Sequence, residues 1–358
     1  MKILITGGHP APALAVIHEL LKQGYQDIEF VGKQYTQEGS MALSYEYKQV
    51  TKQGIPFHTL RAGKLTRVVT RESFKDIPLT GKGFIEAFNI VRHVRPDIIV
   101  SFGGYIALPI CIVGKVLSIK VITHEQTIAP GLANKIIGTI ADKVLISFPE
   151  TMKYFTVRKT RLTGNPIREE AKRTLRKPCV LPSSKPILYV TGGSLGSHSI
   201  NVLIETLLPK LLKTFTVIHQ SGNVEKYGDY ARLSRIKKKG YIVREHFASD
   251  EVGWIFKNAH IIVTRAGANT TFELILFRKP CVLIPLPWSA SGEQEKHARL
   301  ITQAGAGEVY NQSDSSDALY EKIIKVYQEY QSYKKNFALL QKYLHKDAAE
   351  MIVHEIFE

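Results

Sequence analysis

A chain of 358 residues, 44% hydrophobic and 22% charged, is long enough for two globular domains and a sizeable core, which excludes a disordered or collagen-like polypeptide. Its net charge of +16 calls for an anionic partner and, taken alone, leaves nucleic acid, a membrane surface and a phosphorylated substrate open. Cys111, Cys179 and Cys281 have no metal-ligand spacing and form no disulfide framework, which fits a reducing compartment.

The chain opens on a strand, Ile3 to Ile5, so no signal peptide is expected ahead of the fold. Thr6-Gly7-Gly8-His9 then makes a glycine turn, and Ala13 to Ile17 begins a helix. Ile28 to Val31 reads as a second strand. Ile98 to Gly114, the longest uncharged stretch, holds Gly103-Gly104 and Pro109 and reads as buried strand, turn and helix rather than a membrane span. Lys120 to Thr123 and Lys143 to Ile146 are further buried strands. Strands alternating with helices imply a parallel α/β sheet of Rossmann type, with ligands at the carboxyl ends of the strands.

Lys159 to Pro182, with Gly164-Asn165-Pro166 inside it, reads as a linker. After it the pattern restarts with Ile187 to Val190, a Gly192-Gly193-Ser194 turn and a helix from about Ser199. Phe215 to His219, Tyr241 to Arg244 and Ile261 to Val263 continue a second sheet, and from Asp317 to the end the chain reads as helix. The expected architecture is two Rossmann-like parallel-sheet domains facing across a cleft.

Thr264 to Ala298 is the densest stretch. A strand ends in Ala266-Gly267-Ala268, a helix opens with Asn269, Thr270 and Thr271, and Cys281 to Pro287 is the next apolar run. The turn places free backbone N–H groups at the positive end of a helix, which suits a phosphate. Glu273 in the first helical turn and Gln294 beyond the second run are groups that could hold a sugar. Thr270-x-x-Glu273 also fits a capping box, and both readings of Glu273 stay open.

A nicotinamide cofactor is disfavoured, because G-x-G-x-x-G is missing and the second strand ends in Gly32-Lys33 where an acid would bind the ribose. There is no Walker A loop, and no Asp-x-Asp pair to carry a metal diphosphate. No metal or cofactor is therefore expected, and charge neutralisation falls to cations and to the backbone dipoles of the two turns in the second half.

Six segments in order, TGGHPAPALA (6–15), GGY (103–105), HEQTIAPGLANK (124–135), TGNPIR (163–168), GGSLGSHSIN (192–201) and RAGANTTFE through GEQEKHA (265–298), carry a family resemblance. The chain resembles the family-28 glycosyltransferases, which have the two-domain GT-B fold. The resemblance implies an inverting transfer of N-acetylglucosamine from UDP-GlcNAc to the muramyl sugar of lipid I, forming lipid II in peptidoglycan synthesis. It implies an acceptor- and membrane-side domain over residues 1–162, a UDP-sugar domain over 163–340, and a terminal helix, 341–358, returning to the first. It also implies that Thr6, Gly7 and Gly8 form the loop facing the substrates and that His9 closes it. Arg168 would bind the donor, Ser194 would contact phosphate and Phe247 would border the uracil. Gly267, Ala268, Asn269, Thr270, Thr271 and Phe272 would be the phosphate loop and helix start, Glu273 the carboxylate on the ribose hydroxyls, and Gln294 the amide that reads the sugar. Thr127 stands where the family carries a donor-contacting asparagine, Glu293 where it carries histidine or glutamine, and the first glycine loop is several residues shorter than the family's.

The chemistry needs a base for the acceptor hydroxyl. His9 on its glycine turn is the first candidate, with a substrate-binding or helix-capping role as the other reading, and His124 is next. Lipid I is membrane-bound, so a peripheral surface on the cytoplasmic face is expected. Arg61, Lys64, Arg67, Arg71, Lys75 and Lys82, interleaved with Leu65, Val68, Val69, Phe74, Ile77, Leu79, Phe84 and Ile85, suit an anionic lipid surface. A solvated basic loop before an amphipathic helix is the alternative. No nucleic-acid module is recognisable, so nucleic acid is not an expected partner. A transferase with the same donor and another lipid or glycan acceptor is the nearest rival.

Overall fold

The computed structural model describes all residues except 36–42, 62–70, 168–175, 182–183, 194 and 224–226, and the side chains of 71–80 also lie outside the description. In chain order the first half gives β1 (Ile3–Thr6), α1 (Pro10–Lys22), β2 (Ile28–Gly32), α2 (Tyr45–Lys52), β3 (Phe57–Thr59), α3 (Arg71–Val94), β4 (Ile98–Ser101), α4 (Ala107–Val116), β5 (Lys120–Glu125), α5 (Leu132–Ile140), β6 (Lys143–Ile146) and β7 (Thr160–Leu162). The second half gives β8 (Ile187–Thr191), α6 (His198–Thr214), β9 (Thr216–Gln220), α7 (Asp229–Leu233), β10 (Tyr241–Arg244), α8 (Ser249–Asn258), β11 (Ile261–Thr264), α9 (Ala268–Phe277), β12 (Cys281–Leu283), α10 (Glu293–Gln303), β13 (Gly307–Val309), α11 (Ser316–Gln328), α12 (Tyr330–Asn336) and α13 (Ala348–Phe357).

Two compact units result, Met1–Arg168 with His345–Glu358, and Glu169–Leu344. The first holds a seven-stranded sheet in the order β3-β2-β1-β4-β5-β6-β7, with neighbouring strands parallel. Both faces of such a sheet must be covered, so its strands are apolar on both sides. Ile3 and Ile5 enter the layer beneath α1, while Leu4 between them enters the layer beneath α3, α4 and α5. The α1 layer is completed from the far end of the chain, by Ile352, Val353 and Ile356 of α13 packed with Ala13, Ile17 and Leu20. Phe357 stacks on Tyr25 at 4.1 Å, and Lys143 Nζ pairs with Glu355 at 2.8 Å.

The second unit holds a six-stranded sheet, β10-β9-β8-β11-β12-β13, also parallel. Leu188, Val190, Ile261 and Val263 pack under Ile200, Ile204 and Leu208 of α6 and Leu319 and Ile323 of α11. In each sheet the strand order reverses direction between two central neighbours, β1 and β4 in the first and β8 and β11 in the second. Those are the switch points where a crevice opens at the carboxyl edge.

Three expectations need correction. The linker expected from Lys159 begins with a strand, because Thr160–Leu162 pairs with β6 as the last strand of the first sheet. The apolar run from Cys281 to Pro287, read as the second strand of a βαβ unit, is a strand only as far as Leu283. The helix expected from Asp317 onward breaks at Leu344, which is extended (φ −86°, ψ 116°), and resumes at Ala348.

Candidate active site

At the first switch point two glycine turns meet. Gly8 follows β1, Gly103 and Gly104 follow β4, and a Cβ on Gly8 would run into the Gly103 carbonyl oxygen. Gly103 and Gly104 have φ of 76° and 82°, the left-handed region that glycine enters without strain. His9 is the N-cap of α1, but its side chain makes no capping hydrogen bond, so the capping reading does not hold. The imidazole is half-buried, and burial pulls its pKa down from 6.5 to about 4. It is therefore neutral near pH 7 and free to accept a proton.

The wall behind these turns comes from β5 and α5. Glu125 is buried and accepts from Thr127 N at 2.8 Å, Thr127 Oγ1 at 2.6 Å and Asn134 Nδ2 at 2.7 Å. Burial raises its pKa against those bonds. Asn134 in turn fills the space where a Cβ on Gly103 would lie. Thr127 is buried, with its hydroxyl shared between Glu125 and the Ala129 carbonyl at 2.9 Å, so it serves this brace. His124 is buried with Nε2 against the Gly164 carbonyl at 3.0 Å, and burial lowers its pKa to about 4. A second acid, Glu46 of α2, lies behind Gly7 and accepts from Lys33 N at 2.7 Å; burial raises its pKa. It occupies the end of β2, where the sequence shows only Gly32-Lys33.

The second switch point is built alike. Gly192 and Gly193 follow β8, and Gly193 (φ 89°) donates its N–H to Thr191 Oγ1 at 3.1 Å. After β11, Gly267 is the N-cap of α9 and the helix starts at Ala268. Thr270 is therefore already inside the helix, and the Thr270–Glu273 capping box does not form. Thr271 donates its hydroxyl to the Gly267 carbonyl at 2.9 Å, while Asn269 and Thr270 stay half-buried at the helix mouth. Phe272 is in the core, and Glu273 is half-buried one turn in. Phe247 is buried edge-on to Tyr189, and its N–H donates to Gln220 Oε1 at 3.1 Å. Gln294 accepts from Leu286 N at 3.0 Å through Oε1. Arg168 and Ser194 lie outside the described residues.

Arg265, to which the sequence assigned no role, joins the two turns. Its guanidinium donates to Ser197 Oγ at 2.7 Å, Ser199 Oγ at 2.9 Å, Gln312 Oε1 at 3.0 Å and the Ile284 carbonyl at 3.0 Å. No carboxylate pairs with it among the described residues, and burial lowers its pKa from 12.5 to about 10. A buried cation with no counter-charge among the described residues adds positive potential at the mouth of α9, beside the positive end of the helix dipole.

Polar groups left unpaired inside proteins are few and need a reason. Here they gather at the two carboxyl edges. Thr6 Oγ1, His124 Nδ1, Gln126 Oε1 and Asn134 Oδ1 are buried without a hydrogen-bond partner in the first unit, as are Thr264 Oγ1 and Arg265 Nε in the second. Among the described residues no group of three or more His, Cys, Asp or Glu side chains could hold a metal ion.

Two parallel sheets of Rossmann type in one chain, each with an anion- or sugar-suited carboxyl edge, define the class as a GT-B-type protein. The chain belongs to glycosyltransferase family 28, whose N-terminal domain matches residues 6–146 and whose C-terminal domain matches residues 187–352. It is 35% identical over 347 residues (94% of this chain, 92% of the relative) to the UDP-N-acetylglucosamine--N-acetylmuramyl-(pentapeptide) pyrophosphoryl-undecaprenol N-acetylglucosamine transferase of Clostridium tetani (strain Massachusetts / E88). A Bacillus cereus (strain ATCC 10987 / NRS 248) protein of the same description, numbered 2, is 32% identical over 100% of this chain and 99% of its own. The crystal structure of Acinetobacter baumannii MurG superposes with a TM-score of 0.68 at 22% identity, covering 99% of both chains, a likeness of fold.

Proposed function

We propose that the protein transfers N-acetylglucosamine from UDP-GlcNAc to the muramyl sugar of lipid I, with inversion at the anomeric carbon. The acceptor hydroxyl oxygen attacks that carbon, the bond to the β-phosphate oxygen breaks, and UDP leaves with the electron pair. Neutral His9 takes the hydroxyl proton. The observation that carries the donor half is Arg265: a buried cation with no carboxylate partner among the described residues, next to the N-terminus of α9 and the Gly193 turn, suits a leaving diphosphate. Glu273, one turn into α9, has the reach to accept from both ribose hydroxyls, and Gln294 reads the sugar. Arg168 and Ser194 are assigned to the donor by their motifs alone. On the acceptor side, Glu125 and Asn134 brace the Gly103 turn against Gly8.

The protein attaches to the cytoplasmic face of the membrane peripherally. Among the described residues no helix is long and apolar enough to cross a bilayer. On α3, Ile85 is 66% and Phe88 39% exposed near Lys82, and Arg61 precedes this region. Lys64, Arg67, Arg71 and Lys75, with Leu65, Val68, Val69, Phe74, Ile77 and Leu79, lie outside the described residues or side chains. The positive charge is assigned to anionic lipid and diphosphate, not to nucleic acid. A second reading keeps the donor and changes the acceptor, on the strength of the short Gly7-Gly8 turn, which packs directly on Gly103 and Gly104.

The test is transfer of labelled N-acetylglucosamine from UDP-GlcNAc to a short-chain lipid I analogue. Product that vanishes with His9→Ala supports the first reading. Intact UDP-GlcNAc binding without product moves the assignment to another acceptor.

A further inference from the structure

The loop from Ile284 to Gly292, between β12 and α10, carries the protein's most exposed aromatic side chain among the described residues, Trp288, at 76%. An isolated exposed aromatic is ordinary, but this one sits in a cross-tied loop. Leu286 N donates to Gln294 Oε1 at 3.0 Å, Ser289 N to the Leu286 carbonyl at 3.1 Å, and Gln294 N to Ser289 Oγ at 3.3 Å. Gly292 N donates to the Ser289 carbonyl at 3.0 Å, and Ser291 is held at a φ of 58°, in the left-handed region. Leu286 and Ser289, which bracket Trp288, are thus fastened to Gln294, whose Oε1 is engaged and whose Nε2 amide nitrogen is its side-chain donor.

The loop is also fastened to the anion-suited turn. Ile284 N donates to the Thr264 carbonyl at 2.8 Å, Arg265 Nη1 to the Ile284 carbonyl at 3.0 Å, and His297 Nδ1 to the Ala266 carbonyl at 2.9 Å. A nucleotide sugar is linear: ribose, diphosphate, then hexose. With the ribose at Glu273 and the diphosphate at the mouth of α9, the hexose falls on the next carboxyl-edge loop, and β12 is the strand beside β11.

Resting on the donor assignment made above, we propose that Trp288 is the stacking wall for the transferred amino sugar. The apolar C–H face of the pyranose lies on the indole while Gln294 Nε2 donates to a ring substituent. An aromatic face supplies contact area at little cost in side-chain entropy and is dehydrated when the ring docks.

Trp254 and Trp288 are the only tryptophans, so Trp254→Phe leaves Trp288 as a single fluorophore. This variant is titrated with UDP and with UDP-GlcNAc, emission and calorimetry being read in parallel. The expected result is a blue shift with UDP-GlcNAc and little change with UDP, both ligands giving binding heat. In the otherwise unchanged protein, Trp288→Ala weakens UDP-GlcNAc binding roughly fivefold, leaves UDP affinity unchanged, and is largely rescued by Trp288→Phe. Bound UDP-GlcNAc with unshifted emission, or equal shifts with both ligands, overturns the stacking role and leaves the donor assignment standing. Absence of heat with either ligand overturns both.

Discussion

Burial lowers the pKa of both His9 and Arg265, which leaves the imidazole neutral near pH 7 while the guanidinium, at about 10, stays charged with no carboxylate partner among the described residues. A base with its pKa at about 4 is already deprotonated at pH 5.5, so the transfer rate at low acceptor is expected to stay flat from pH 8 down to about 5.5. With an ordinary imidazole pKa the rate would fall roughly tenfold by pH 5.5, and such a limb would remove His9 from the role. His9→Ala should lower kcat by about a hundredfold or more with UDP affinity unchanged, read by steady-state kinetics and calorimetry. Arg265→Met should weaken UDP binding by roughly tenfold, through the positive potential and the Ser197 and Ser199 brace it removes. Circular dichroism separates this outcome from loss of the fold. The glycine turns of the site could be read from the sequence, because turn chemistry leaves a local mark. Arg265, Asn134 and Glu46 could not be assigned roles that way. Asn134 matters because α5 carries it back onto Gly103 and Glu125, and Glu46 looks like any acid on a short polar helix until α2 sets it behind Gly7.

Elements showed the same division. The central strands, Ile98–Ser101 and Ile261–Thr264, are wholly buried, and their unbroken apolar runs announce them. Phe57–Thr59, Thr160–Leu162 and Gly307–Val309 have three residues each and lie at the outer edges of their sheets, where half-exposed side chains leave no apolar run to detect. Pairing to a neighbour makes them strands, and that is not a local property. On α3, Ile85 and Phe88 are exposed apolar side chains, and the proposed membrane contact makes them its test. Ile85→Glu combined with Phe88→Glu should cut co-sedimentation with phosphatidylglycerol vesicles several-fold and leave UDP binding in solution intact. Unchanged vesicle binding would move the membrane contact elsewhere.

At the scale of the whole molecule, each unit holds imidazoles whose pKa burial lowers: half-buried His9 and buried His124 in the first, at about 4, and buried His219 and His297 in the second, at about 3 and about 4. An unfolded chain takes up these protons near pH 6.5, so between there and about pH 4 it binds more protons than the native state. Stability should therefore fall as the pH drops through that window, seen as a declining Tm for both units in calorimetry. The completion of the first core by α13 has a different consequence, in the order of synthesis. Residues 1–168 leave the ribosome roughly ten to forty seconds before Ile352, Val353 and Ile356 can reach Ala13 and Ile17, at about 5–20 residues per second. Through that interval the face of the first sheet beneath α1 lacks the cover of α13, and the second unit, which ends at Leu344, is itself completed only shortly before α13 follows. The first unit thus cannot finish its core until the whole second unit has been made.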